Sequence, residues 1–265
     1  MIIPPVPQAV LIDLAGVLYN DDQPVPGAVD ALVALRASGL ALRFLTNTTR
    51  SPRQHIVAKL GRMGFAVAAE EIQTAVLATR SLVEQRKLRP HYLVHSDIQA
   101  EIGRSHADPD AVVVGDAGRE FTYEALNGVF RLLMRGLPFI AMARNRYFME
   151  HDDLSLDLGG FIAGLEFSSG RSAEVVGKPA GHFFHSALAA LGVDPGRAVL
   201  IGDDLSDDIG GAQSAGIAGI LVRTGKFQAS DEVHPQFRPA IIVDDFPAAV
   251  AALCAAINNG QDSSR

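Results

Sequence analysis

A chain of 265 residues, 48% of them hydrophobic, is long enough to bury a sizeable core and to carry an inserted second domain. Its formal charge of -7, with no basic run, excludes a general nucleic-acid or anionic-membrane binder, because phosphate backbones are held by clustered Lys and Arg. The single Cys254 excludes an intramolecular disulfide framework, no apolar stretch reaches the roughly 20 residues of a membrane span, and MIIPPVPQAV lacks a signal-peptide pattern, so a cytoplasmic setting is expected.

In chain order, the apolar run AVLID ends in Asp13 and reads as a strand. A helical pattern follows in GAVDALVALRASG, then a strand in LALRFLT and a helix in SPRQHIVAKLGRMG. This βαβα order predicts a parallel α/β sheet. Residues 79–174 carry their own strands (HYLVH, AVVVG, PFIAMA) and helices (TYEALNGVFRLLMRG, GGFIAGLEFSSG). They read as an inserted α/β domain, leaving 1–78 and 175–265 as the core. The helix ALNGVFRLLM is expected either to fill the inserted domain's core or to form a homodimer surface. The first grammar then returns with AVLIGD, a helix in LSDDIGGAQSAG, IAGILVR, AIIVDD and a last helix, and GQDSSR reads as a frayed tail.

In an open parallel sheet the ligand site lies beyond the carboxyl ends of the strands, where the strand order reverses. Three places qualify: Asp13 after VLI, Thr46-Asn47-Thr48-Thr49 after LRFL, and Asp203-Asp204 after AVLIG. Each alone has an ordinary explanation, since a strand-end Asp often makes an Asx turn and TNTTRSP is a good helix cap. GDDLSDD is harder to explain that way, because four acids in seven residues repel one another unless a cation offsets them. Hard oxygen ligands without neighbouring His or Cys point to Mg²⁺. Lys178, in EVVGKPAGHFF, adds an ammonium group to the set.

The four motifs DLAGVL, TNTT, GKP and GDDLSDD, in this order, resemble the haloacid dehalogenase superfamily of phosphohydrolases. The resemblance implies a Rossmann-like core with a parallel sheet and an inserted α/β cap domain. Only 32 residues separate Asp13 from Thr46, whereas 131 separate Thr46 from Lys178. That spacing implies a cap of the second-position type (C2), as in the p-nitrophenylphosphatase-like branch. The resemblance makes Asp13 the nucleophile that forms an aspartyl-phosphate, with Mg²⁺ held by Asp13, the backbone carbonyl of Ala15 and Asp203. Asp204 and Asp208 become supporting groups, Asp207 a solvated helix residue, and Gly16 the residue that permits the tight turn. Thr46 and Asn47 would donate to the transferring phosphoryl, with Lys178 pairing to Asp13 and phosphate. In MARNRYF, Arg144 and Asn145, followed by Arg146, would face the substrate from a cap loop; a solvated basic turn is the other reading. His95 and His151 could titrate near neutrality, although a lone histidine is more often structural.

Many phosphatases of this superfamily carry a second Asp two residues after the nucleophile, to protonate the leaving group. Here that position is Ala15. A positioned general acid contributes about 10²- to 10⁴-fold, so alkyl phosphomonoesters should be handicapped, whereas phosphoramidates and pyrophosphate leave without that proton. The expectation is a Mg²⁺-dependent phosphohydrolase of phosphoramidate or pyrophosphate bonds in a small phosphorylated substrate. The alternatives are a broader small-metabolite phosphomonoesterase using an acid from the cap, and a phospho-ligand binding module without turnover.

Overall fold

The computed structural model describes residues 3, 4, 7–150 and 153–262; His151 and the last three residues of GQDSSR lie outside them. Strand β1 (Ala9–Asp13) is followed by a short hairpin of β2 (Tyr19–Asn20) and β3 (Gln23–Pro24), then α1 (Ala28–Ala37), β4 (Ala41–Thr46), α2 (Arg53–Arg62) and β5 (Ile72–Thr74). Next come α3 (Ala75–Gln85), β6 (Pro90–Leu93), the short α4 (Gln99–Ile102), β7 (Ala111–Val114), α5 (Tyr123–Met134) and β8 (Phe139–Ala141). A hairpin of β9 (Tyr147–Glu150) and β10 (Asp153–Leu156) leads to α6 (Leu158–Ser169) and β11 (Glu174–Val175). The chain closes with α7 (Gly181–Ala189), β12 (Ala198–Gly202), α8 (Gly211–Ser214), β13 (Ala218–Val222), β14 (Ile241–Val243) and α9 (Phe246–Asp262).

These elements form two compact units. One comprises Met1–Thr46, Arg53–Gln73 and Phe183–Arg265; the other comprises Asn47–Pro52 and Thr74–His182. The expected inserted segment was 79–174, so the observed unit also takes in residues 47–52, 74–78 and 175–182.

The first unit is built on a six-stranded sheet in the order β14-β13-β12-β1-β4-β5. Every pairing from β14 through to β4 is parallel. β1 and β12 are buried at all their positions, as strands covered on both faces must be, which is why their sequences are continuous apolar runs. The chain leaves β1 towards β4 on one side and later returns to β12 on the other. The strand order therefore reverses at β1, and its carboxyl end is where a ligand site belongs. Helix α9 presents Phe246, Ala249, Val250 and Leu253 at helical spacing to the core that contains Val199, Ile201 and Val222. Among the described residues no helix is long and apolar enough to cross a membrane.

The second unit holds a four-stranded parallel sheet, β11-β8-β7-β6. Thr74 caps α3 by accepting the Leu77 N–H, and Thr122 caps α5 by accepting that of Ala125, which satisfies donors otherwise orphaned at helix starts. Helix α5 buries Val129 and Leu133, while Leu126 and Phe130 line a groove shared with Phe161 and Leu165 of α6. Tyr123 and Phe167, on the same two helices, are 77% and 92% exposed. The Arg86 guanidinium makes a two-pronged pair with Glu174 at 2.6 and 2.8 Å, tying α3 to β11 and holding the Glu174 carboxyl below its ordinary range.

Two local features differ from expectation. The helix expected over LSDDIGGAQSAG is split: Leu205–Gly210 forms a wider π-type turn, and only Gly211–Ser214 is α-helical. Asp204 is the cause, since its side chain accepts the N–H groups of Ser206 and Asp207 while its carbonyl accepts those of Asp208 and Ile209. The edge strand β5 and the two hairpins are further elements that apolar patterning does not announce. They are two to four residues long, too short for a period to register.

Candidate active site

Parallel register explains how residues about 190 positions apart meet. Ile12 pairs with Ile201 and Asp13 with Leu45, so Asp13 and Asp203 both emerge at the carboxyl ends of neighbouring strands. Asp208 is delivered to the same place by the turn after β12. One carboxylate oxygen each from Asp13, Asp203 and Asp208 lies within 4.8 Å of the others. The three residues are 5%, 3% and 0% exposed. Buried carboxylates this close repel one another strongly in a low-dielectric site, and an all-oxygen set fits a hard divalent cation. Asp208, expected only as a supporting group, thus stands among the carboxylates that could hold the metal.

Asp204 has a different task. Besides capping the turn, its Oδ2 pairs with Nζ of Lys226 at 3.1 Å. The backbone N–H of Lys226 donates to Oδ2 of Asp203 at 2.7 Å, and the Thr224 hydroxyl donates to the Gly16 carbonyl. The loop after β13 therefore clamps both the loop after β1 and the loop after β12. Thr224, Gly225 and Lys226 were not singled out from the sequence, although their place after the strand next to β12 is a signal the switch-point rule could have supplied.

Gly16 has φ of 85° and Gly225 of 61°, and a methyl group on either would overlap the Asp203 carboxylate. Left-handed backbone costs a residue with a Cβ about 1–2 kcal/mol, before any displacement of Asp203. Gly16→Ala is therefore expected to lose metal affinity and at least that much stability. Calorimetric titration with Mg²⁺ and thermal unfolding check it.

Ala15 lies exposed in the tight loop between Leu14 and Tyr19, where the Gly16 N–H donates to the Tyr19 carbonyl at 2.8 Å. Burial, with the Asp13 and Asp22 carboxylates, pushes the Tyr19 phenol up to about 12. Thr46 is the last residue of β4, one position beyond the partner of Asp13.

In the second unit Asn47 and Lys178 clasp each other. The Asn47 side-chain oxygen accepts the Lys178 N–H at 2.8 Å, and its amide nitrogen donates to the Lys178 carbonyl at 3.1 Å. Asn47 therefore spends its side-chain oxygen and one amide hydrogen on fixing the backbone of Lys178, which is 7% exposed. Arg144 is engaged by Glu166 in a two-pronged pair at 3.1 and 2.6 Å. The carbonyl of Asn145 accepts the Gly159 N–H at 2.9 Å, and its side chain bonds to Asp157, the N-cap of α6. Both residues thereby hold the loop after β8 onto α6. His95 accepts the Asp97 N–H at 3.3 Å and acts as a local cap.

Comparison with known proteins agrees with this geometry. Residues 10–106 match the family model described as haloacid dehalogenase-like hydrolase, and residues 175–249 match a second, HAD-hydrolase-like model. Haloacid dehalogenase-like hydrolase domain-containing protein 2 of Bos taurus is 44% identical over 244 residues, covering 92% of this chain and 94% of that protein. Phospholysine phosphohistidine inorganic pyrophosphate phosphatase of Xenopus laevis is 41% identical over 256 residues, covering 94% and 95%. Among solved structures, the 4-nitrophenylphosphatase of Thermotoga maritima superposes with a TM-score of 0.87 at 26% identity, covering 95% of this chain and 98% of that one. With two relatives above 40% identity over nearly their whole length and a matching α/β architecture, the chain belongs to the haloacid dehalogenase-like hydrolases.

Proposed function

We propose that this hydrolase is a Mg²⁺-dependent phosphatase that works through an aspartyl-phosphate on Asp13 and prefers phosphoramidate or pyrophosphate bonds. The observation that carries the reading is the buried trio Asp13, Asp203 and Asp208, whose oxygens converge within 4.8 Å. Such a set suits a hard cation, and Asp13, Asp203 and Asp208 would hold it together with the Ala15 carbonyl. The ion, when bound, would neutralise the approach of one anion to another. Asp13 would attack phosphorus and expel the leaving group, and water would then cleave the acyl-phosphate bond, returning the carboxylate and free phosphate. Lys178, its backbone fixed by Asn47, would offer its ammonium to the phosphoryl oxygens, and Thr46 its hydroxyl.

The substrate preference rests on Ala15. A methyl group cannot give a proton to the departing atom, so leaving groups that depart already protonated or as stable anions are favoured. The name of the Xenopus relative, which joins phospholysine, phosphohistidine and pyrophosphate, supports the same class. The broader phosphomonoesterase reading would require another group to protonate the departing atom.

The test is a panel of imidodiphosphate, pyrophosphate, phosphohistidine, p-nitrophenyl phosphate and sugar phosphates, with and without chelator. Turnover of the first four only with Mg²⁺, and little turnover of sugar phosphates, is expected. Metal-independent turnover would remove the mechanism, and equal turnover of sugar phosphates would favour the broader reading.

A further inference from the structure

Residues 47–52 leave the carboxyl end of β4 without regular secondary structure, so side-chain ties must set their backbone. One tie is the Asn47–Lys178 clasp described above. Another is Asp116, which follows β7 in the same unit. Its N–H donates to the Thr49 hydroxyl at 3.2 Å, one carboxylate oxygen pairs with Nε of Arg50 at 3.4 Å, and the other accepts the Gly118 N–H at 2.8 Å. Thr49 is 5% exposed and Asp116 6%, so water is a poor substitute for either partner. Arg50 is further constrained by the Phe148 ring, 5.7 Å from its guanidinium carbon. An aspartate buried to this extent is costly unless its partners are in place, which makes the arrangement specific rather than incidental.

We propose that Asp116 is a positioning residue for phosphoryl binding: through Thr49 and Arg50 it sets the 47–52 loop, and thereby places Asn47 and the Lys178 it holds. The proposal rests on the phosphatase reading above. It assigns Asp116 no contact with substrate. It differs from a purely stabilising role in what it predicts, because a tie that only stabilises lowers the unfolding temperature and leaves phosphoryl affinity alone.

The experiment compares wild type with Asp116→Ala, Asp116→Asn and Thr49→Val, at a temperature where all are folded by circular dichroism. Readouts are KM and kcat for p-nitrophenyl phosphate and the affinity of orthovanadate, a phosphoryl mimic. A displacement of the loop by about 1 Å is worth on the order of 10²-fold. Thr49→Val, which removes the acceptor of the Asp116 backbone N–H, and Asp116→Ala, which keeps that N–H but loses the carboxylate's contacts with Arg50 and Gly118, are therefore each expected to raise KM and weaken vanadate binding by about 10- to 10²-fold. Asp116→Asn, which keeps an acceptor for Gly118 but loses the charge opposite Arg50, should fall between them and wild type. Adding Arg50→Ala to Asp116→Ala should cost little more, since coupled residues are not additive. Unchanged KM and vanadate affinity in variants of lowered stability would overturn the proposal. If wild type turns over no phosphate ester, the phosphatase reading falls separately, and vanadate still decides the positioning role: equal affinity in wild type and variants, or none in wild type, overturns it.

Discussion

Asp13→Asn is expected to abolish turnover while making the metal-free protein more stable. The amide is isosteric but is no nucleophile, and losing the nucleophile of a covalent mechanism costs at least about 10⁴-fold in kcat. Stability moves the other way because Asp13 is 5% exposed beside two other buried carboxylates. Neutralising one of three like charges relieves repulsion that the metal-free fold otherwise carries, a trade of stability for activity common at catalytic sites. Thermal unfolding with and without Mg²⁺ checks both halves. Wild type should gain stability on adding Mg²⁺, since a ligand of the native state raises it, and the variant should start higher and gain less. A variant that retains turnover, or that is destabilised without metal, would show that the trio does not work as a repelling metal site.

The second large effect concerns Ala15. If no other group protonates the leaving atom, log kcat/KM across a series of phosphate esters should fall steeply as the leaving group becomes more basic. Ala15→Asp should then restore activity selectively towards poor leaving groups, by about 10²- to 10⁴-fold if the new carboxyl reaches the bridging oxygen. Space is available, because Ala15 is exposed in its loop. A flat dependence in the native protein would mean that another acid already acts. Ala15→Asp in that case would change little.

The long central strands and most helices of the fold are legible in the sequence because their signals are long. AVLI before Asp13 and AVLIG are uninterrupted apolar runs, and a sheet covered on both faces accommodates such runs side by side. Asp13 and Asp203 could be paired from strand-end position alone, since parallel register fixes that ends meet. The burial of Asp208 beside the other two has no local signal: a regular helix from Leu205 would carry it away as one more polar residue, but Asp204 rewinds the turn and buries it. Lys226 and Asp116 give no local signal, because each looks like an ordinary charged loop residue in the sequence. What distinguishes them is tertiary: the Lys226 N–H meets Asp203, and Asp116 meets Thr49 and Arg50 across 67 residues of chain. Arg144 and Asn145 were placed correctly in a loop after β8, yet their partners, Glu166 and Asp157, lie on or at the start of α6, which no local pattern links to that loop.

If Asp13 itself accepts the phosphoryl group, hydrolysis proceeds by two displacements at phosphorus. Each displacement inverts configuration, and two restore it. The most direct measurement is hydrolysis of p-nitrophenyl thiophosphate made chiral at phosphorus with one oxygen isotope, in water carrying another, with the configuration of the thiophosphate product read by phosphorus NMR. Net retention is the result expected of an aspartyl-phosphate on Asp13. Net inversion would mean that water attacks the substrate directly, and would contradict it.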